Sequence, residues 1–117
     1  MIAFGSNTRV YLAAGATDMR KAVNGLMVLV QDVLEADPFS SHVFVFCNRL
    51  RDKIKILYWH NNGFWLLYRR LEKQRFWWPV AGEQACVTIT SRELGWLLEG
   101  LDITRLEAHK VAKFSLF

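Results

Sequence analysis

The stretch KIKILYWHNNGFWLLYRR, residues 53–70, holds cations at both ends, aromatic rings between them and no acid. Those residue types together suit a nucleic acid. Lysine and arginine neutralise phosphates and release condensed counterions, while tryptophan offers an unpaired base a flat stacking partner. The wider segment 49–75 carries Arg49, Arg51, Lys53, Lys55, Arg69, Arg70, Lys73 and Arg75 against Asp52 and Glu72 alone, a local net charge of +6. The whole chain is +4, so the remainder is −2 and the positive charge is a patch. Patches report on partners. The expected nucleic-acid-facing residues are Arg49, Arg51, Lys53, Lys55, Trp59, Trp65, Arg69, Arg70, Lys73 and Arg75. A structural reading stands beside this one, in which Trp59 and Trp65 lie beneath a helix and the lysine stems run around them.

Other chemistry is sparse. His42, His60 and His109 show no mutual spacing that builds a metal site. Cys47 and Cys86 are widely separated, lack a C-x-x-C partner and fall in apolar runs, which reads as buried free thiols. There is no Gly-rich phosphate loop, no G-x-S-x-G and no H-E-x-x-H. Asp18, Asp32, Asp37 and Asp52 are scattered. The expectation is a protein with no catalytic residues, no metal and no cofactor.

The elements that must position the patch follow from periodicity. TRVYLAA, residues 8–14, reads as a short strand. Next comes a long helix over residues 17–36, with Thr17 as N-cap, Asp18 in the first turn and Asp37-Pro38 as its end. Its apolar stripe is Met19, Val23, Leu26, Met27, Val30, Val33 and Leu34, and Gly25 within it implies close packing. HVFVFC is a buried strand, residues 53–60 and 64–70 form a hairpin, and ACVTIT is a further strand. Thr90 with Glu93 is a capping box opening a short helix that Gly100 closes. The tail TRLEAHKVAKFSLF is left unassigned.

Within the hairpin, a three-residue loop Asn61-Asn62-Gly63 sets Trp59 opposite Trp65. That register sorts Lys53, Lys55, Leu57, Trp59, Trp65, Leu67 and Arg69 onto one face, and Ile54, Ile56, Tyr58, Phe64, Leu66 and Tyr68 onto a core face. A two-residue loop at Asn62-Gly63 segregates the faces less well, because it brings Arg69 beside Ile56 and Tyr58. The helix residues Leu26, Val30 and Val33 are then expected against Ile54, Ile56 and Tyr58. The fold class is α+β: a largely antiparallel sheet with a central hairpin, and both helices packed on one face. A length of 117 residues suits a single domain. Apolar runs such as GLMVLV fall far short of the roughly 20 residues of a membrane span, and no secretory leader is visible, so a cytoplasmic protein is expected.

Several of these runs resemble a known family. ATDMRKAVNGLMVLV, DPFSSHVFVFCNRLRDKIKILYWHNNGFWLLYRRLEKQRFWWP and LGWLLEG are similar to the TnpB-type accessory protein of bacterial insertion-sequence family sixty-six, over about Arg9 to Asp102. The motifs that carry the resemblance are Thr17-Asp18-Met19-Arg20-Lys21, Asp37-Pro38-Phe39, Asn48-Arg49, Lys55-Ile56-Leu57-Tyr58-Trp59, Gly63-Phe64, Arg70-Leu71-Glu72 and Trp78-Pro79. The chain departs from the family pattern at Ser41, Cys47, Leu50 and His60. The resemblance implies a non-catalytic accessory factor of DNA transposition, encoded beside a separate transposase that holds the catalytic acids. Its expected partners are DNA and the transposase. The alternative is a protein-interaction module that docks on the transposase without touching DNA.

Overall fold

A computed structural model of the chain describes residue 4 and residues 7–105. The unassigned tail beyond residue 105, with His109, lies outside the described residues. The elements are β1 (Val10–Ala13), α1 (Val23–Asp32), β2 (Val43–Cys47), β3 (Lys53–His60), β4 (Gly63–Arg70), β5 (Cys86–Ile89) and α2 (Ser91–Leu98). Residues 103–105 are helical as well. No helix among the described residues is long and apolar enough to cross a membrane.

The strands form one five-stranded sheet in the order β4-β3-β2-β1-β5. Only β1 and β2 are parallel, because α1 carries the chain over the sheet before β2 begins; the other three pairings are antiparallel. Alternation along β2 divides the core in two. Val43, Val45 and Cys47 point to the face where Ile54, Ile56, Tyr58, Phe76, Trp78 and the α2 residues Leu94, Leu97 and Leu98 pack. Phe44 and Phe46 point to the other, where Leu57, Leu66 and the α1 residues Leu26 and Val30 pack. The helices therefore cover opposite faces, not one. A strand buried on both sides reads as a continuous apolar run, which is why VFVFC is buried at every position. Burial also pushes the Cys47 thiol up to about 12.

The α1 helix is shorter than its periodicity implies. It begins at Val23 with Ala22 at the cap and no side-chain capping bond. Thr17 is not its N-cap: the Thr17 backbone N–H donates to the Cys47 carbonyl at 2.8 Å, pinning the preceding segment to the sheet. The helix ends at Asp32, before Asp37-Pro38, and Glu35 takes a left-handed φ of 51°. Leu26 and Val30 are fully buried, but against Phe44, Phe46 and Leu57 rather than Ile54, Ile56 and Tyr58. Val33 is 53% exposed and leaves the expected stripe. Gly25 meets its packing expectation: a Cβ there would lie 3.2 Å from Lys21 Cβ. The α2 capping box forms as expected, with Glu93 N–H donating to Thr90 Oγ1 at 3.1 Å and Thr90 N–H donating to Glu93 Oε1 at 2.9 Å.

The hairpin spans the expected residues in a different register. Its loop is Asn61-Asn62, both in the left-handed region at φ 46° and 66°, so His60 opposes Gly63 and Trp59 opposes Phe64. Two left-handed residues make the primed turn that matches strand twist, and asparagine tolerates that conformation. Trp65 opposes Tyr58, not Trp59. Relative to the expected pairing, β4 is shifted by one residue, which exchanges its two faces. Arg69, Leu67 and Trp65 join Ile54, Ile56 and Tyr58; Arg70, Tyr68, Leu66 and Phe64 join Lys53, Lys55, Leu57 and Trp59.

Candidate nucleic-acid interface

The strand directions decide what gathers where. β1, β2 and β4 end, and β3 and β5 begin, at the same end of the sheet. The loops 14–22, 48–52 and 71–85 therefore meet there. Asn48 shapes the second loop: its Oδ1 accepts from the Asp52 and Lys53 backbone N–H groups at 3.1 and 3.0 Å. Its Nδ2 donates to Asp52 Oδ1 at 2.7 Å, the main cause of a lowered Asp52 pKa. Loop 71–76 is tied to loop 48–52 by Leu71 N–H donating to the Asp52 carbonyl (2.8 Å) and Phe76 N–H to the Arg51 carbonyl (2.7 Å). Trp78 Nε1 then donates to the Ala13 and Gly15 carbonyls at 2.9 and 3.1 Å, fastening the WWP turn to the end of β1.

Six of the expected site residues come together at this end: Arg49, Arg51, Lys53, Arg70, Lys73 and Arg75. Lys53 and Arg70 face each other across the hairpin. The segment's two acids are both engaged, Glu72 by Arg70 at 2.7 Å and Asp52 by Lys53 at 3.7 Å. Among the described residues, Arg49, Arg51, Lys73 and Arg75 form no ion pair and are exposed. That leaves four cations directed at solvent on two loops that hydrogen bonds hold together.

The other four expected residues lie elsewhere or face inward. Lys55 Nζ donates to the Met19 and Lys21 carbonyls, both at 2.7 Å, clasping the loop that precedes α1. Arg69 Nε donates to the Leu98 carbonyl at 2.7 Å and satisfies the last turn of α2. Trp59 is half-buried in a ring cluster, its centroid 5.0 Å from Phe39 and 4.9 Å from Phe64. Trp65 is 49% exposed on the opposite face. Both tryptophans sit near the turn, about 20 Å along the strand from Lys53 at ~3.3 Å per residue. Cations and tryptophans do not form one surface.

Tyr68 is the ring that does accompany the cations. It is 54% exposed, lies opposite Lys55 in the hairpin, and lines a shallow hollow with Asp18, Met19, Arg20, Asn48, Lys53 and Lys55. Arg20 brings a further guanidinium, bonded by Nε and Nη2 to the Asp18 carboxylate at 2.7 to 3.1 Å. Those bonds lower Asp18 to about 2. Sequence reasoning missed both residues. Arg20 lies outside the charge-dense segment, and Tyr68 falls on the core face in the three-residue-loop register. The motif Thr17–Lys21 was the available signal for Arg20.

Comparison with known proteins gives one family and no solved structure. The family described as "IS66 Orf2 like protein" matches residues 8–108. Two Sinorhizobium fredii (strain NBRC 101917 / NGR234) proteins are similar over most of their length. "Uncharacterized protein y4hO" is 37% identical over 102 residues, covering 87% of this chain and 88% of the relative. "Uncharacterized protein y4jC" is 32% identical over 113 residues, covering 97% and 96%. No solved structure matches the chain.

Proposed function

The chain belongs to the IS66 Orf2-like family and is thus an insertion-sequence accessory protein, and we propose on that premise that it supports transposition by holding DNA, alone or within a transposase–DNA complex, at the basic end of its sheet. The observation that carries this reading is the group Arg49, Arg51, Lys73 and Arg75, exposed and without acid partners among the described residues. Tyr68 beside Lys53 and Arg20 adds a ring for stacking an unpaired base. The proposed role is non-catalytic. How the acids are used supports this: Asp18 is bonded to Arg20, Asp52 to Asn48 and Asp102 to Thr104.

DNA binding by the purified protein, measured across a salt series, tests the proposal. Duplex binding should weaken by about 0.9 logarithmic units per phosphate neutralised for each tenfold rise in salt. Arg49→Ala with Lys73→Ala should weaken binding to all sequences and flatten that slope. Tyr68→Ala should harm single-stranded binding more than duplex binding. Incubation with magnesium or manganese should produce no strand cleavage. Absence of salt-sensitive binding at low ionic strength would instead assign the basic end to an acidic surface of a protein partner.

A further inference from the structure

β4 is the outermost strand of the sheet, eight residues long, paired with β3 at every position and free of proline or bulge. The opposite edge, β5, has only four residues. The direction of the β4 amides follows from the hairpin. A two-residue loop closes on a hydrogen-bonded pair, here His60 and Gly63, and such pairs recur at alternate positions. The Leu71 N–H, bonded to the Asp52 carbonyl, fits that parity: odd-numbered residues turn toward β3. The backbone groups of Phe64, Leu66, Tyr68 and Arg70 therefore point outward, and no backbone bond among the described residues reaches them. A long, regular edge of this kind is a template for another strand.

We propose that this edge pairs antiparallel with β4 of a second copy of the chain, about a two-fold axis through Leu67. That register overlaps residues 64–70 of both copies and joins outward-facing residues to each other: Leu66 to the partner's Tyr68, and Phe64 to the partner's Arg70. Between them, Leu67 meets its own copy and Trp65 meets the partner's Arg69. Ring–cation pairing selects the arrangement, because each guanidinium then faces an aromatic ring, which an axis through Leu66 or Tyr68 does not provide. Trp65 and Tyr68, the exposed rings of the strand, become covered from opposite faces of a continuous ten-stranded sheet. The paired segment 64–70 leaves out Arg49, Arg51, Lys73 and Arg75 but covers Tyr68, so strand pairing and base stacking compete for that ring.

Sedimentation of the full chain over a concentration series, without DNA, should show a monomer–dimer equilibrium. Trp65→Lys sets a cation against the partner's Arg69 at two symmetric places and should raise the dissociation constant by about tenfold or more, with circular dichroism unchanged. Oxidation of Leu67→Cys should give a covalent dimer, since residues opposed across a non-hydrogen-bonded pair have Cα atoms ~4.5 Å apart, within disulfide range. Leu66→Cys, opposed to Tyr68, should not cross-link, nor should the wild type with Cys47 and Cys86. A strictly monomeric wild type would overturn the proposal and leave the edge to a strand from another protein. So would a dimer indifferent to Trp65→Lys, or one that Leu67→Cys cannot lock.

Discussion

Lys55 directs two of its three N–H donors inward, to the Met19 and Lys21 carbonyls. Hydrogen bonds from a charged donor each stabilise by roughly 1.5–3 kcal/mol, and losing them strands two partly covered carbonyls. Lys55→Met is therefore expected to lower unfolding free energy by about 2 kcal/mol in a denaturant titration. Lys53→Met, which loosens only a 3.7 Å ion pair, should cost under about 1 kcal/mol. Two lysines that look equivalent in KIKIL thus differ in kind: both line the hollow, but only Lys55 holds a loop. Asp18 supplies a second residue-scale test. Its folded pKa of about 2 lies below the ordinary 3.8, so its contribution is complete above the unfolded value and fades as pH falls toward 2. The Asp18 carboxyl signal in nuclear magnetic resonance should titrate near 2, and Arg20→Ala should return the midpoint toward 3.8.

At the scale of elements, α1 is held by its buried face rather than by its ends, since Ala22 provides no side-chain cap. Leu26→Ala should accordingly cost about 2–5 kcal/mol, the upper part of that range applying if Phe44 and Phe46 cannot close the cavity. Strand and helix positions were legible because period-two and period-3.6 patterns are local. Register was not. Gly63 is the residue that invites a left-handed position, yet Asn61 and Asn62 take it, and a one-residue slip then exchanges the faces of β4. Arg69 shows why propensity alone misleads here. Its place beside Ile54 looks poor until α2 arrives with an unsatisfied Leu98 carbonyl, a partner 29 residues away in sequence. The start of α1 was hidden for a like reason, because Cys47 and Lys55 capture the backbone of residues 17–21 that would otherwise continue the helix.

For the molecule as a whole, the mixed α/β class and the location of the charge were readable from composition and pattern. The two-sided core was not, because a single apolar stripe on each helix does not say which face of a sheet it meets. That arrangement makes the C-terminal part indispensable to the N-terminal part. A chain ended at residue 85 loses β5 and α2, and so uncovers Val10, Leu12, Val43, Val45, Ile54 and Ile56 together. It should show no cooperative thermal transition and should bind a hydrophobic dye, whereas the full chain should melt as one unit. Helix and the WWP loop roof the middle of both faces, so what the sheet leaves open is its rim and β4, where Trp65 and Tyr68 are exposed. In the rim's loops the exposed cations Arg49, Arg51, Lys73 and Arg75 answer to few packing constraints, while Phe76 and Trp78 beside them belong to the core. Exposed charge and buried core are thereby written in different letters of the same sequence. The charge of that rim could be redrawn by editing exposed loop residues, while the buried alphabet of valine, leucine and phenylalanine stays as it is.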